Sequence, residues 1–223
     1  MVQLIHGLQA ERVRANLDEV QAEIARVCRK AGRDPGGVEI RAATKYVPAE
    51  EMHTLAQAGI ELVGENRAQD LEAKVARDGP RFTWDFIGQL QSRKVRAIVP
   101  HVRLIHSVAT DSALRELERH AAIARPGLRI LIEVNVAREE GKGGVDPEDL
   151  DGMIARAPVP VAGLMTMPPL AADPGENRRW FTALRELAAA RGLEHLSMGT
   201  TQDYVVAVQE GATIVRIGSR LYA

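Results

Sequence analysis

The chain has five lysines, at positions 30, 45, 74, 94 and 142, and one of them stands where no helix face explains it. Lys45 follows the apolar run Val38–Ala43 in "VEIRAATKYVPAEEM" and precedes Pro48-Ala-Glu-Glu, which reads as the first turn of a helix. Far along the chain come two turns of small and hydroxylated residues. "LSMGTTQDY" holds Ser197, Gly199, Thr200 and Thr201; "RIGSRLY" holds Arg216, Gly218 and Ser219. Small residues let the backbone approach a ligand, hydroxyls donate to anionic oxygens, and a helix N-terminus favours negative charge. An amine facing such turns suits either a simple cation for a phosphorylated ligand or a Schiff base with a phosphorylated aldehyde such as pyridoxal phosphate. Lys30, Lys74 and Lys94 fall on helical patterns and read as solvated. Lys142, in "EEGKGG", is the one rival amine.

The elements that must position these residues alternate regularly. Apolar residues at three- and four-residue spacing (Val13, Leu17, Val20, Ile24, Val27) predict an amphipathic helix from about Leu8 to Ala31, closed by Gly32. Eight strand candidates follow: Val38–Ala43, Glu61–Val63, Phe82–Ile87, Val102–His106, Arg129–Asn135, Val159–Leu164, His195–Ser197 and Thr213–Ile217. Helical patterns near 49–58, 66–77, 91–98, 111–124, 147–156, 176–191 and 202–210 separate them. Strands alternating with helices imply parallel βαβ units, and eight strands are the number that closes a (β/α)8 TIM-type barrel. An open doubly wound sheet is the competing reading. The eighth strand leaves no room for a final helix before Ala223, so the extra N-terminal helix is expected to cover that gap.

Barrel sites lie at the C-terminal ends of the strands, with phosphate often held after strands seven and eight. Both hydroxyl-rich turns fall there. Lys45, ending strand one, lies on the same rim beside strand eight, and Lys142, after strand five, also belongs to it.

Composition narrows the function classes. Lys plus Arg total 29 against 30 for Asp plus Glu, so no net charge draws the protein to nucleic acid or anionic lipid. The sole cysteine, Cys28, sits on a helical pattern and reads as a packed thiol in a reducing compartment. The N-terminal stretch lacks an uninterrupted apolar core, and no window nears the roughly 18 apolar residues of a membrane span. A cytoplasmic protein of one domain, residues 1–223, is expected. His101 and His106 flank strand four without a ligand partner at metal-binding spacing, so no metal site is expected. "GKGG" lacks the remainder of a P-loop and reads as a mobile rim loop. Trp84 and Phe86 read as core, and Arg178-Arg179 as a solvated helix face.

Taken in order, "AATKYVP", "VGENRAQDLEAK", "WDFIGQLQSRK", "IHSVAT", "IEVNVAREEGKGG", "GLMTM", "LSMGTTQD" and "VRIGSRLYA" span the chain. In that order the chain resembles the pyridoxal phosphate homeostasis proteins, the YggS/PROSC group. The resemblance implies the alanine racemase N-terminal-like barrel of fold type III pyridoxal phosphate proteins. It implies that Lys45 carries pyridoxal 5'-phosphate as a Schiff base, and that Ser197, Gly199, Thr200, Thr201, Gly218 and Ser219 surround the phosphate. Arg216 would face the pyridine nitrogen and Asn66 would lie near the ring. Thr200 and Thr201 replace a methionine and a serine of the family pattern, with hydroxyl donation expected to survive. Asp85 replaces a histidine, and "GENRAQD", with Arg67, departs from the usual rim sequence; a rim role for the family's histidine and tyrosine does not carry over.

An arginine beside the pyridine nitrogen disfavours its protonation and makes the ring a poorer electron sink. Racemases of this fold take an opposing base from a second domain, and this chain ends at Ala223 without one. The expectation is therefore a non-catalytic carrier of pyridoxal phosphate, with no catalytic residue and with apo-enzymes as candidate partners; the resemblance implies a monomer or weak dimer. A low-activity amino-acid racemase and a phosphosugar-binding barrel are the alternatives.

Overall fold

The computed structural model describes residues 4–223. The first three residues of the N-terminal stretch discussed above lie outside them. Eight parallel strands close a barrel in sequential order, β1 pairing with β8 through Glu39↔Ile214 to Ala42↔Ile217. The strands are β1 Glu39–Ala43, β2 Leu62–Glu65, β3 Thr83–Phe86, β4 Leu104–Val108, β5 Arg129–Glu133, β6 Val161–Met165, β7 His195–Thr200 and β8 Ile214–Ile217. The closed ring excludes the open-sheet reading.

Helices α1 Ala10–Lys30, α2 Met52–Gln57, α3 Ala68–Asp78, α4 Val95–Ile98, α5 Asp111–Arg119, α6 Leu150–Ala155, α7 Arg178–Ala189, α8 Tyr204–Gln209 and α9 Ser219–Tyr222 surround it. Several are shorter than their sequence pattern because the first or last turn is a 3-10 turn, as at Ser92–Lys94 before α4 and Ala121–Ile123 after α5. Thr110 accepts a hydrogen bond from the Ala113 N–H and caps α5, one residue ahead of the first-turn Asp111.

α1 buries the stripe Val13, Leu17, Val20, Ile24 and Val27, with the Cys28 thiol enclosed beside it. Full burial of each such aliphatic side chain stabilises by about 1.5–3 kcal/mol. Gly32, at φ 66°, ends the helix: its N–H bonds the Arg29 carbonyl while the Arg33 N–H bonds that of Cys28. The helix covers the closing segment of the barrel, where Asn16 Nδ2 reaches the carbonyls of Leu221 and Ala223 and Arg33 reaches those of Val208 and Ala212. The expectation of no final helix is corrected here. A single turn, α9, follows β8, and α1 packs against both α8 and α9.

Most of the apolar core lies between the strands and the helices, including Trp84 and Phe86. The barrel interior is different. Its enclosed apolar group is small (Leu104, Leu131, Met165 and Ile214), and the rest is charged or polar: Arg41, Asp85, His106, Ser197 and Arg216. Gly64 on β2 makes this filling possible, since a Cβ there would stand 2.8 Å from Ile87 and 3.1 Å from the Arg41 side chain.

Candidate functional site

At the C-terminal ends of the strands opens a cleft of about 610 Å3. Its lining brings together seven of the nine residues named from sequence: Lys45, Asn66, Thr200, Thr201, Arg216, Gly218 and Ser219. Lys45 follows β1, and its ammonium lies 4.7 Å from the centre of the Tyr46 ring. Among the described residues no carboxylate pairs with Lys45 or with Arg216, although ion pairs occur elsewhere in the barrel, such as Arg41–Asp85 and Arg103–Glu39. Two cations thus share one cleft without a protein anion bonded to either.

Arg216 comes from β8 and is buried from below. Its Nη1 donates to Ser197 Oγ and its Nη2 to the Thr166 carbonyl at 3.0 Å. Burial pulls its pKa down to about 10, against the opposing fields of Asp203 and Glu133, so it stays cationic at neutral pH. The Gly218 N–H donates to Thr201 Oγ1 at 3.2 Å, which leaves the Thr201 proton free for a ligand. Thr200 differs. Its hydroxyl and its N–H both donate to Asp203 Oδ1, at 3.1 and 2.7 Å, so the expected donation from this side chain goes to a carboxylate. Asn66 lies at the end of β2, and its side-chain Oδ1 is buried with no partner.

Two sequence-named residues lie outside the cleft lining. Ser197 is enclosed beneath the floor, between His106 and Arg216. Gly199, at φ 91°, packs against α8; a Cβ there would stand 2.6 Å from that of Ala207. Asp85 is no rim residue either. It is fully buried inside the barrel, where Arg41 Nε lies 2.6 Å and Arg103 Nε 3.2 Å from its carboxylate. Burial alone would raise its pKa, but Arg41 and the hydrogen bond from His106 outweigh that and hold it down. His106 lies within β4 rather than beside it and has Asp85 as its carboxylate partner. No cluster of metal-ligating residues occurs among the described residues. Arg67 is exposed at the start of α3.

The reading of Lys74 as solvated is overturned. It is 3% exposed, and its ammonium bonds the Glu65 carboxylate and, at 2.8 Å, the Thr44 carbonyl. Glu65 is a hub. One oxygen accepts from Thr44 Oγ1 at 2.8 Å, the other from the Asn66 N–H at 2.6 Å. One buried ion pair therefore fixes the residue before Lys45 and the residue that presents the Asn66 amide.

Sequence reasoning also missed Tyr46 and Glu133, both in the lining. Glu133 ends β5, and burial raises its pKa against the fields of Arg216 and Lys142. Its signal was available: an acid closing an apolar strand on the functional rim. Lys142 lines the same cleft and pairs with Glu139 at 2.7 Å. Its "GKGG" loop is pinned at the base, where Val145 donates to the Glu133 carbonyl and accepts from the Asn135 N–H.

The donor set has a definite chemistry: a primary amine, a fixed guanidinium, free hydroxyls and an unpartnered amide. Such a set could hold a small anionic aldehyde, with hydroxyls to donate to its anionic group and an amine to condense with its carbonyl.

Comparison with known proteins agrees with this chemistry. The family model "Alanine racemase, N-terminal domain" matches residues 15–223. A pyridoxal phosphate homeostasis protein of Aquifex aeolicus is 39% identical over 217 residues, covering 92% of this chain and 95% of that one. Among solved structures, an unknown protein from Bifidobacterium adolescentis superposes with a TM-score of 0.86 at 31% identity, covering 99% of this chain and 98% of that one. PipY of Synechococcus elongatus, solved with PLP bound, gives 0.80 at 30% identity, covering 95% and 100%.

Proposed function

We propose that this chain, which belongs to the pyridoxal phosphate homeostasis proteins of the alanine racemase N-terminal domain family, binds pyridoxal 5'-phosphate in the cleft and serves vitamin B6 homeostasis as a carrier. The observation that carries the assignment is the pair of cations without a carboxylate partner, Lys45 and Arg216, sharing a cleft with the Thr201 and Ser219 hydroxyls. Bound there, pyridoxal phosphate supplies an aldehyde that condenses with a primary amine and a phosphate that anchors it. We assign the amine to Lys45. Thr201 and Ser219 hold the phosphate, with Gly218 bringing the backbone close. Asn66 presents its amide to the ring, and Arg216 presents a cation to the ring nitrogen, where it disfavours protonation.

A reservoir that yields its cargo to apo-enzymes suits an open cleft whose anchoring contacts are mostly hydroxyls. A cytoplasmic setting suits the single buried thiol of Cys28; no helix among the described residues is long and apolar enough to cross a membrane. We treat the barrel as the single functional domain, acting as a monomer or weak dimer. One observation favours the racemase alternative: the Glu133 carboxyl, with its raised pKa, is a candidate acid or base within the cleft. Steady racemisation of alanine would replace the carrier reading.

The phosphate assignment is testable directly. Thr201→Ala and Ser219→Ala should each weaken cofactor binding by roughly 1.5–3 kcal/mol, as expected for a hydrogen bond to a charged group. The double variant should lose less than the sum, since both side chains act on one ligand group. Equilibrium titration reads the effect, and unchanged affinity in the double variant removes these residues from the site.

A further inference from the structure

Beneath the cleft, four side chains form one continuous line. Arg216 Nη1 bonds Ser197 Oγ, Ser197 Oγ lies 2.9 Å from His106 Nδ1, and His106 Nε2 lies 3.1 Å from Asp85 Oδ2. Asp85, His106 and Ser197 are 0% exposed. A guanidinium has no acceptor, so the Ser197 oxygen accepts from Arg216. With the ring neutral and its one proton on Nε2, the bare Nδ1 takes the Ser197 proton. Asp85, ionised beside Arg41 and Arg103, only accepts, so the His106 ring proton sits on Nε2. Burial independently keeps the ring neutral by lowering its pKa to about 4, and the cations Arg41 and Arg216 oppose the pull of Asp85.

The residue types are those of a hydrolase triad, but the arrangement excludes that use. The carboxylate meets Nε2 and the serine meets Nδ1, the reverse of the usual order. Ser197 is enclosed, and its oxygen is already engaged by Arg216. The line ends on the floor of the cleft instead.

We propose that His106 is the positioning residue of the cleft: as the Nε2-protonated imidazole it takes the Ser197 proton on Nδ1, which fixes the rotation of the hydroxyl, aims its lone pair at Arg216 and holds the guanidinium in one orientation. The Thr166 carbonyl holds the other terminal nitrogen, and two anchors define the plane. The Ser197 proton points away from the cleft, so the floor presents a guanidinium donor and no weak acid. The order of hydrogen bonds stands on the protein alone. Only its consequence for the ring rests on the cofactor reading given above.

The test has two arms. In the unloaded full-length protein, long-range 1H–15N spectra at neutral pH, assigned with His106→Gln, should show His106 with a bare Nδ1 and a protonated Nε2. A protonated Nδ1 or a charged ring overturns the proposal whether or not pyridoxal phosphate binds. In titrations with pyridoxal phosphate, Ser197→Ala and His106→Leu should each weaken affinity about tenfold. The double variant should be no weaker than the worse single one, because both cut one line. His106→Gln, which can both accept and donate, should recover most of the loss. Additive losses, or equal losses in His106→Gln and His106→Leu, would show that His106 acts only as a packed side chain. Absence of cofactor binding in the wild type would instead strike the functional reading, leaving the first arm to decide this one.

Discussion

Lys74→Met is expected to destabilise the protein by about 3–5 kcal/mol, because it leaves the Glu65 carboxylate buried without its cation. The side chains of Lys74 and Glu65 are 4% and 0% exposed, so water cannot replace the lost partner. Pairing Lys74→Met with Glu65→Leu should recover part of the loss, since an apolar pair removes the stranded charge. Recovery should be incomplete, because the Thr44 hydroxyl and the Asn66 N–H would lose their acceptor. Urea unfolding at pH 7 measures all three proteins. A loss under about 1 kcal/mol in Lys74→Met would match a solvated pair and contradict the hub assigned to Glu65.

Lys45→Ala is expected to abolish covalent attachment of pyridoxal phosphate while retaining weaker, reversible binding. The Lys45 amine is the group assigned the bond to the aldehyde; Thr201, Ser219 and Arg216 contribute to binding without it. The visible absorbance of the loaded protein should vanish in this variant, and equilibrium dialysis should still find bound cofactor. Full retention of the absorbance in Lys45→Ala would move the attachment to another lysine, with Lys142 first in line because it shares the cleft.

The barrel was legible because its eight apolar runs and the intervening helical spacings are both regular. Strand ends shifted by up to three residues where pairing or turns, not hydropathy, set the boundary. Val38 falls outside β1 because a 3-10 turn at Pro35–Gly37 precedes it, and β7 runs on to Thr200 because that residue pairs with Arg216 on β8. Lys74 carries a usable signal against the solvated reading. Ala68, Leu71, Lys74 and Asp78 form one buried stripe on α3 at helical spacing, so the lysine's position outweighs its residue type. Asp85 follows the same logic: with Trp84 and Phe86 facing the helices, strand parity turns it into the barrel. What sequence could not supply is register. The meeting of Arg41, Asp85, His106 and Ser197 depends on which residues of four different strands share a level inside the closed ring.

The cleft assignment rests on one amine, so the most direct measurement locates the bond. Wild-type protein loaded with pyridoxal phosphate, reduced with borohydride and digested, should yield one pyridoxyl-modified peptide, carrying the mark on Lys45. A mark on Lys142 or Lys74 in place of Lys45, or no modified peptide at all, would contradict the account.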